Sequence, residues 1–449
     1  MRTAISGIYW NRPMGSRVRD IAAHVRQSLD RIDELEPIIN AFVTVDRQGA
    51  ITMAEQVDPA APLAGLTIAV KDNLDVGGLP CRYGSKLWAD RIADRDGASI
   101  AQLRAAGVVI VGKTMLAELA CGTTGTATPH GDTVNPWRHD RMTGGSSSGS
   151  AAAVAAAMVD AAIGSDTSCS IRLPAAHCGI VGLKPTHDRI SRDGLSVCAS
   201  SLDHIGPMTR DVATAAAMLK VMQVDGHDDP TAKLGSPING LRIATLGGEF
   251  LDECDPDVRA VFNTAIEALR SLGVIITELD LTTVLGSDVT AIEHDMAALA
   301  AEMLDHYGER VDEFEQHGGE ISPSLRHWFD IYETITPADR ARALNRQTEV
   351  RRLVESAMAA ANIDVLACPT TRVTARPRAG ASELERAPRV LNCTLFSVTG
   401  QPSLTVPCGF DRDGLPIGIL LTGHVDADST VLQVGHAYEG LVTTPSAMS

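Results

Sequence analysis

Apolar positions recur three or four apart over residues 16–35, where Val18, Ile21, Val25, Leu29 and Ile32 predict one amphipathic helix. The pattern then changes. Leu66–Val70 is a short β-rich run that closes on Lys71. Ala98–Ala106 predicts a helix stopped by Gly107, and Val108–Val111 predicts a strand of Val and Ile alone that ends at Gly112. Ser150–Val159 predicts an alanine-rich helix whose small side chains allow close packing on every side, so it is expected to be buried. Ala161–Gly164 predicts a short strand. Leu241–Leu246, Asp255–Ser271 and Val274–Thr277 repeat strand, helix, strand. From about 285 to 360 the pattern is helical and rich in Ala, Glu and Arg, with one long helix over Thr336–Ala359. Strands return at Asp364–Cys368, Ser403–Val406 and Ile417–Leu421.

Alternating strands and helices predict an α/β fold, a sheet with helices on its faces. At 449 residues, with 44% hydrophobic positions, the chain is long enough for a sizeable core. No internal repeat is visible. The helical stretch is expected to cover one side of the sheet.

The formal net charge of −17 disfavours direct binding to a nucleic-acid backbone and to anionic membranes. No apolar run approaches the ~20 residues that span a bilayer. The first 20 residues carry Arg2, Arg12, Arg17 and Arg19 before their first acid, Asp20, and lack the apolar core of a signal peptide. An organelle-targeting leader is the alternative reading there. The nine cysteines are scattered and form no CxxC pair, which predicts reduced thiols in a cytoplasm.

Candidate chemistry lies in Gly144-Gly145-Ser146-Ser147-Ser148-Gly149-Ser150. A Gly/Ser linker should lead into polar, disordered sequence. This one leads into Ala151–Met158, eight small or apolar residues, and Ser170 follows shortly after. Serines at the entrance of a buried element predict a polar site set into a core, where such groups need partners. A nucleophilic serine needs a base. Lys71 closes an apolar strand, and burial would lower its pKa until a neutral amine can take a proton from a hydroxyl. A second serine can relay that proton. Read alone, Lys71 would be a strand-end lysine reaching solvent. His177 and His187 are the alternative bases. Backbone N–H groups over Thr167–Ser170 are placed to face a developing oxyanion. The glycine run taken alone would be a turn or an anion-binding nest, and a P-loop is excluded because no Gly-Lys-Ser/Thr follows.

These residues resemble the amidase signature family of serine hydrolases. Gly144 through Ala153 is similar to the family's Gly-Gly-Ser-Ser-Gly-Gly-Ser-Ala-Ala core. Gly164-Ser165-Asp166-Thr167, Ser170-Ile171-Arg172, Pro174-Ala175, Cys178-Gly179 and Gly182-Leu183-Lys184-Pro185-Thr186 continue it. Val70-Lys71-Asp72-Asn73, Gly112-Lys113-Thr114 and Asn135-Pro136-Trp137 match upstream. Ser201-Leu202-Asp203-His204-Ile205-Gly206-Pro207 and Gly414-Leu415-Pro416-Ile417-Gly418 match downstream. The likeness is strong over about 60–215, fair over about 364–425 and weak in the helical middle.

The resemblance implies one domain over 1–449, built on a large, mixed, mostly parallel twisted sheet covered by helices on both faces. Its parts would be an N-terminal helical segment to about 60, a signature core over about 61–220, a helical cover over about 285–360 and C-terminal strands over about 364–425. It implies a Ser–cis-Ser–Lys triad with Ser170 as nucleophile, Ser146 as bridge and Lys71 as base. Thr167 would support Ser146, and the backbone of Thr167, Ser168, Cys169 and Ser170 would form the oxyanion hole. Cys121, Gly122, Thr123 and Thr124 would line the acyl side. Ser147, Ser148 and Ser150 read as loop and capping residues, Arg172 as a structural ion-pair partner, and Cys169 as turned away from the reaction. No metal and no cofactor are implied.

The chain departs from the family at Ser168-Cys169, where a small residue and Gly, or Gly-Gly, usually precede the nucleophile. A positive φ there would be strained by a side chain. It departs again at Leu420, where the family often has Gln, which points to a drier substrate side. The leading expectation is hydrolysis of a small carboxylic or urea-like amide through a serine acyl-enzyme. The expected partners are that small molecule and a homodimer or small helper subunit, without nucleic acid or membrane. The alternatives are the glutamine-hydrolysing A subunit of an aspartyl/glutamyl-tRNA amidotransferase and an inactive paralogue serving as a binding or scaffold subunit.

Overall fold

Alternating side chains on the central strands bury two separate faces. The computed structural model describes residues 20–126, 128–286, 290–379 and 390–441. Their strands are β1 (Phe42–Val45), β2 (Thr67–Lys71), β3 (Val109–Thr114), β4 (Ala161–Asp166), β5 (Val181–Lys184), β6 (His204–Thr209), β7 (Arg242–Leu246), β8 (Ile275–Leu279), β9 (Val365–Pro369), β10 (Ser403–Phe410) and β11 (Pro416–Gly423). They form one eleven-stranded sheet in the order β1-β3-β2-β4-β6-β5-β10-β11-β9-β7-β8. Ile68, Val70, Ile110 and Ile163 bury into one apolar cluster, while Ala69, Val109, Val111 and Ala162 bury into another. This period of two, buried on both sides, is what helices on both faces require.

The sheet is mixed, and its parallel pairing is confined to two trios, β3-β2-β4 and β9-β7-β8. The remaining neighbours are antiparallel. The predicted strands appear with shifted ends; β10, for example, runs on to Phe410. β1, β5 and β6 carry no clear alternating signal. β5 and β6 are interrupted by Gly182, Gly206 and Pro207, and they are held by pairing with their neighbours.

The first helix spans Ile21–Ile39, with the Asp20 carboxylate accepting from Ala23 N as its cap. Residues 16–19, and the arginine-rich leader with Arg2, Arg12, Arg17 and Arg19, lie outside the described residues. The alanine-rich helix is Ser148–Ala155, and all eight residues are buried. It starts earlier and stops sooner than its composition predicts, because Ala157 turns at φ 53 and sends the chain back towards β4. Gly149 allows the close fit: a Cβ there would lie 2.2 Å from the Ala41 carbonyl.

The helical stretch is present as Leu281–Leu285, Thr290–Ala300, Glu309–Gln316, Pro323–Tyr332 and Pro337–Ala360, with a π-helical turn at Leu304–Gly308. A reciprocal Thr336–Asp339 capping box starts the longest of these helices. Met303, Phe329, Tyr332, Val354 and Met358 bury against Cys121, Cys169, Cys198 and Leu420. The cover is thereby seated over the Gly/Ser loop and its neighbours. Among the described residues no helix is long and apolar enough to cross a membrane.

Candidate active site

Two parallel strands set the site. β2 and β4 are neighbours, so their C-terminal ends, Lys71 and Ser165-Asp166, emerge side by side. Lys71 is fully buried. Its Nζ donates to Ser146 Oγ at 2.7 Å and to Ser165 Oγ at 2.8 Å, with the Ser165 carbonyl at 3.3 Å. Asn73 Nδ2 donates to the same Ser165 hydroxyl at 3.0 Å. Burial pulls Lys71 down to about 7, against the opposing charge of Asp166. Its neutral form is therefore well populated near neutral pH.

Ser146 follows a cis Gly145–Ser146 peptide bond at the entrance to the Ser148–Ala155 helix. A Cβ on Gly145 would lie 2.9 Å from the Gly122 carbonyl and 3.2 Å from the Gly125 amide. The loop predicted to line the acyl side thus packs directly on the Gly/Ser turn. In that loop Cys121 is buried, Thr124 Oγ1 pairs with Thr126 Oγ1 at 3.0 Å, and the buried Thr123 hydroxyl has no partner among the described residues.

Ser170 sits in the turn before the Arg172–Cys178 helix and keeps 6% of its surface exposed. Its carbonyl accepts from Ser147 N at 3.3 Å, which fixes the backbone on either side of the two serines together. Among the described residues the Ser146 and Ser170 hydroxyls make no hydrogen bond to each other. The amides of Ser168, Cys169 and Ser170 also have no acceptor among the described residues. Cys169 and Ser170 are buried, where donors left open are rare.

Asp166 and Arg172 hold that loop. Arg172 Nε and Nη2 donate to the two Asp166 carboxylate oxygens, each at 2.9 Å, and Nη2 also reaches the Ser168 carbonyl at 2.8 Å. Both partners are fully buried. Burial alone would raise Asp166, but the Arg172 guanidinium outweighs it and keeps the carboxylate low. With its carbonyl held by Arg172, Ser168 has its peptide dipole fixed. Neither Ser168 nor Cys169 takes a positive φ, so the side chains at this departure cause no backbone strain. Cys169 packs into the apolar cluster, and burial pushes its thiol up, away from nucleophilic chemistry.

The Thr167 hydroxyl does not reach Ser146. It donates to Asp203 Oδ1 at 2.6 Å, while Asp203 Oδ2 accepts the Cys198 and Ala199 amides. Burial raises Asp203 to about 6, against these hydrogen bonds. The partner that Lys71 takes besides Ser146 is Ser165. The sequence marks Ser165, Asn73 and Asp203 only as members of matching motifs, without a role. The signal that could have found Ser165 is a polar residue ending a buried strand parallel to that of Lys71.

The histidines are placed elsewhere. His177 Nε2 faces the Val373 carbonyl at 3.3 Å, and burial pulls the ring to about 4. His187 pairs with Asp188 and Arg192, and burial lowers it to about 4 as well. Neither ring hydrogen-bonds a site serine. Leu420 is fully buried in the cluster with Cys121, Cys169 and Cys198, a dry surround. Among the described residues no group of three or more His, Cys, Asp or Glu is arranged to hold a metal ion.

The chain belongs to the amidase family, whose model matches residues 23–432. It is an enzyme of the hydrolase class that acts on C–N bonds. Among curated proteins it is similar to the A subunit of the glutamyl-tRNA(Gln) amidotransferase of Synechococcus sp. (strain RCC307), at 36% identity over 96% of both chains. Among solved structures it is similar to the peptide amidase of Stenotrophomonas maltophilia, with TM-score 0.80 and 28% identity over 94% of this chain and 93% of that one. It is also similar to the A subunit of the glutamyl-tRNA(Gln) amidotransferase of Thermotoga maritima, with TM-score 0.79 and 27% identity over 97% and 98%. These relatives overturn the expected partners, which were a free small-molecule amide and a homodimer or small helper, with no nucleic acid. The A subunit of a glutamyl-tRNA(Gln) amidotransferase is one part of a larger enzyme whose substrate is carried on tRNA. Formal charge is a poor guide because it describes one chain alone and says nothing of the surfaces a partner would bring.

Proposed function

We propose that the chain is the amide-hydrolysing A subunit of a glutamyl-tRNA(Gln) amidotransferase, releasing ammonia from glutamine for use elsewhere in the assembly. The full-length similarity to curated A subunits supports this choice within the family. The observation that carries the chemistry is the buried Lys71 amine 2.7 Å from the Ser146 hydroxyl, beside the open amides of the Ser170 turn.

Neutral Lys71 accepts a proton from Ser146, which takes one from Ser170, and Ser170 Oγ attacks the amide carbonyl. The oxyanion is received by the backbone amides over Thr167–Ser170, whose dipoles are already set by Arg172 and Asp203. The proton returns to the leaving nitrogen as the C–N bond breaks, giving ammonia and an acyl-Ser170. Water, deprotonated along the same route, then frees the acid. Ser165 and Asn73 orient Lys71. Nine free thiols support a reducing, cytoplasmic setting.

The test is ammonia release from glutamine by the chain co-purified with its partner subunits. Wild type should release ammonia, and Ser170→Ala and Lys71→Ala should each lose about 10²–10⁴-fold. Undiminished release in both variants, or turnover of simple amides with none of glutamine, would overturn the proposal.

A further inference from the structure

Three sulfur atoms from distant parts of the chain meet beside the Ser170 turn. Cys121 follows the short 3-10 turn Glu118–Ala120, Cys198 lies in the loop before β6, and Met303 belongs to the helical cover. The Cys121 and Cys198 thiols each lie 3.5 Å from Met303 Sδ. Met303 Sδ is therefore in contact with both thiols. All three residues are buried. Tyr332 is buried in the same apolar cluster as Cys121, Cys198 and Met303.

We infer that Cys121, Cys198 and Met303 form a site for one soft monovalent cation, of which Cu(I) is the natural probe. Two thiolates and a thioether are the donors that select such an ion, and the set contains no hard oxygen ligand. A metal about 2.3 Å from each of three sulfurs needs them about 4 Å apart, so each thiol has to move from Met303 Sδ by only about half an ångström. On binding, two S–H bonds break and both protons leave to solvent. Two thiolate–copper bonds form, and the thioether lends a lone pair. No electron is transferred. The product carries one net negative charge.

In the metal-free chain Cys121 beside it and burial hold the Cys198 thiol well above its ordinary value, so it is uncharged near neutral pH. A negative charge created there would favour the ammonium form of Lys71. A copper dithiolate at the same place draws a proton onto Lys71 and removes the neutral amine. Inhibition rests on the proposed role of Lys71, whereas binding does not.

The experiment is anaerobic titration of the full chain with Cu(I) delivered as its coloured bicinchoninate complex. Wild type and Cys408→Ser should each withdraw a single equivalent. Cys121→Ser and Cys198→Ser should withdraw none, and Met303→Leu, which conserves volume, should bind more weakly. Circular dichroism melts confirm that the variants are folded. Copper remaining with bicinchoninate in the presence of wild type, or equal uptake by the Cys121→Ser/Cys198→Ser double variant, overturns the site. Stoichiometric uptake with loss of ammonia release supports both parts. Stoichiometric uptake with unchanged ammonia release upholds the site and overturns only its link to Lys71.

Discussion

Lys71 is fully buried, with hydroxyl partners and, among the described residues, no salt-bridged carboxylate, and its burial governs how it titrates. With the folded amine near 7, kcat/KM for ammonia release should rise with pH through about 7 and then level off. A rate independent of pH between 6 and 8 would contradict this assignment. Stability should respond as well. Between about 7 and about 10 the unfolded chain holds a proton on residue 71 that the folded chain does not, so stability gains with rising pH across that window. Urea midpoints at pH 7 and pH 9 measure the gain, and Lys71→Met should flatten it. The serines and lysine of the candidate site could be proposed from the sequence because each sits in a dense motif. Ser165 was not, because its role depends on the parallel register of β2 and β4, which brings two strand ends together. Thr167 was misplaced for a similar reason: its hydroxyl turns to Asp203, a partner 36 residues away.

Among the elements, the Ser148–Ala155 helix tolerates little change. Gly149→Ala would drive a methyl group to 2.2 Å from the Ala41 carbonyl and 2.5 Å from the Met115 amide. We expect a loss of about 1–3 kcal/mol, read from denaturant unfolding. The Ser170 turn depends on the buried Arg172–Asp166 pair, and Arg172→Met should cost about 3–5 kcal/mol by leaving Asp166 uncompensated. A change below 1 kcal/mol would show that the pair is not what holds the turn. Composition foretold that the alanine-rich helix would be buried but not where it ends. Its end is set by a backbone reversal at Ala157, which no periodicity marks. β5 and β6 were invisible for a related reason, since glycine and proline weaken the strand signal that their neighbours then override.

At the scale of the molecule, the thiols give a simple check. Eight of the nine cysteines are buried and only Cys408 is partly exposed. At most one should react promptly with a thiol reagent in the native state, and all nine after denaturation. The fold class was readable because strands and helices alternate along the whole chain. The share of antiparallel pairing was not, because strand direction depends on the route of the connections between strands. Among the described residues the helices from Leu281 to Ala360 meet the loops around Ser170 through direct ties that include Ser322 N to Glu118, Gln347 to the Ser201 carbonyl, Glu302 to Ser200, and Met303 to Cys121 and Cys198. The proposed reacting groups Lys71, Ser146 and Ser170 stand on strands and turns of the sheet, and none of the three belongs to these helices. Selectivity and reactivity are therefore separable inheritances. Grafting this region from a relative should alter which amide is accepted and leave the rate at which Ser170 meets a small fluorophosphonate unchanged.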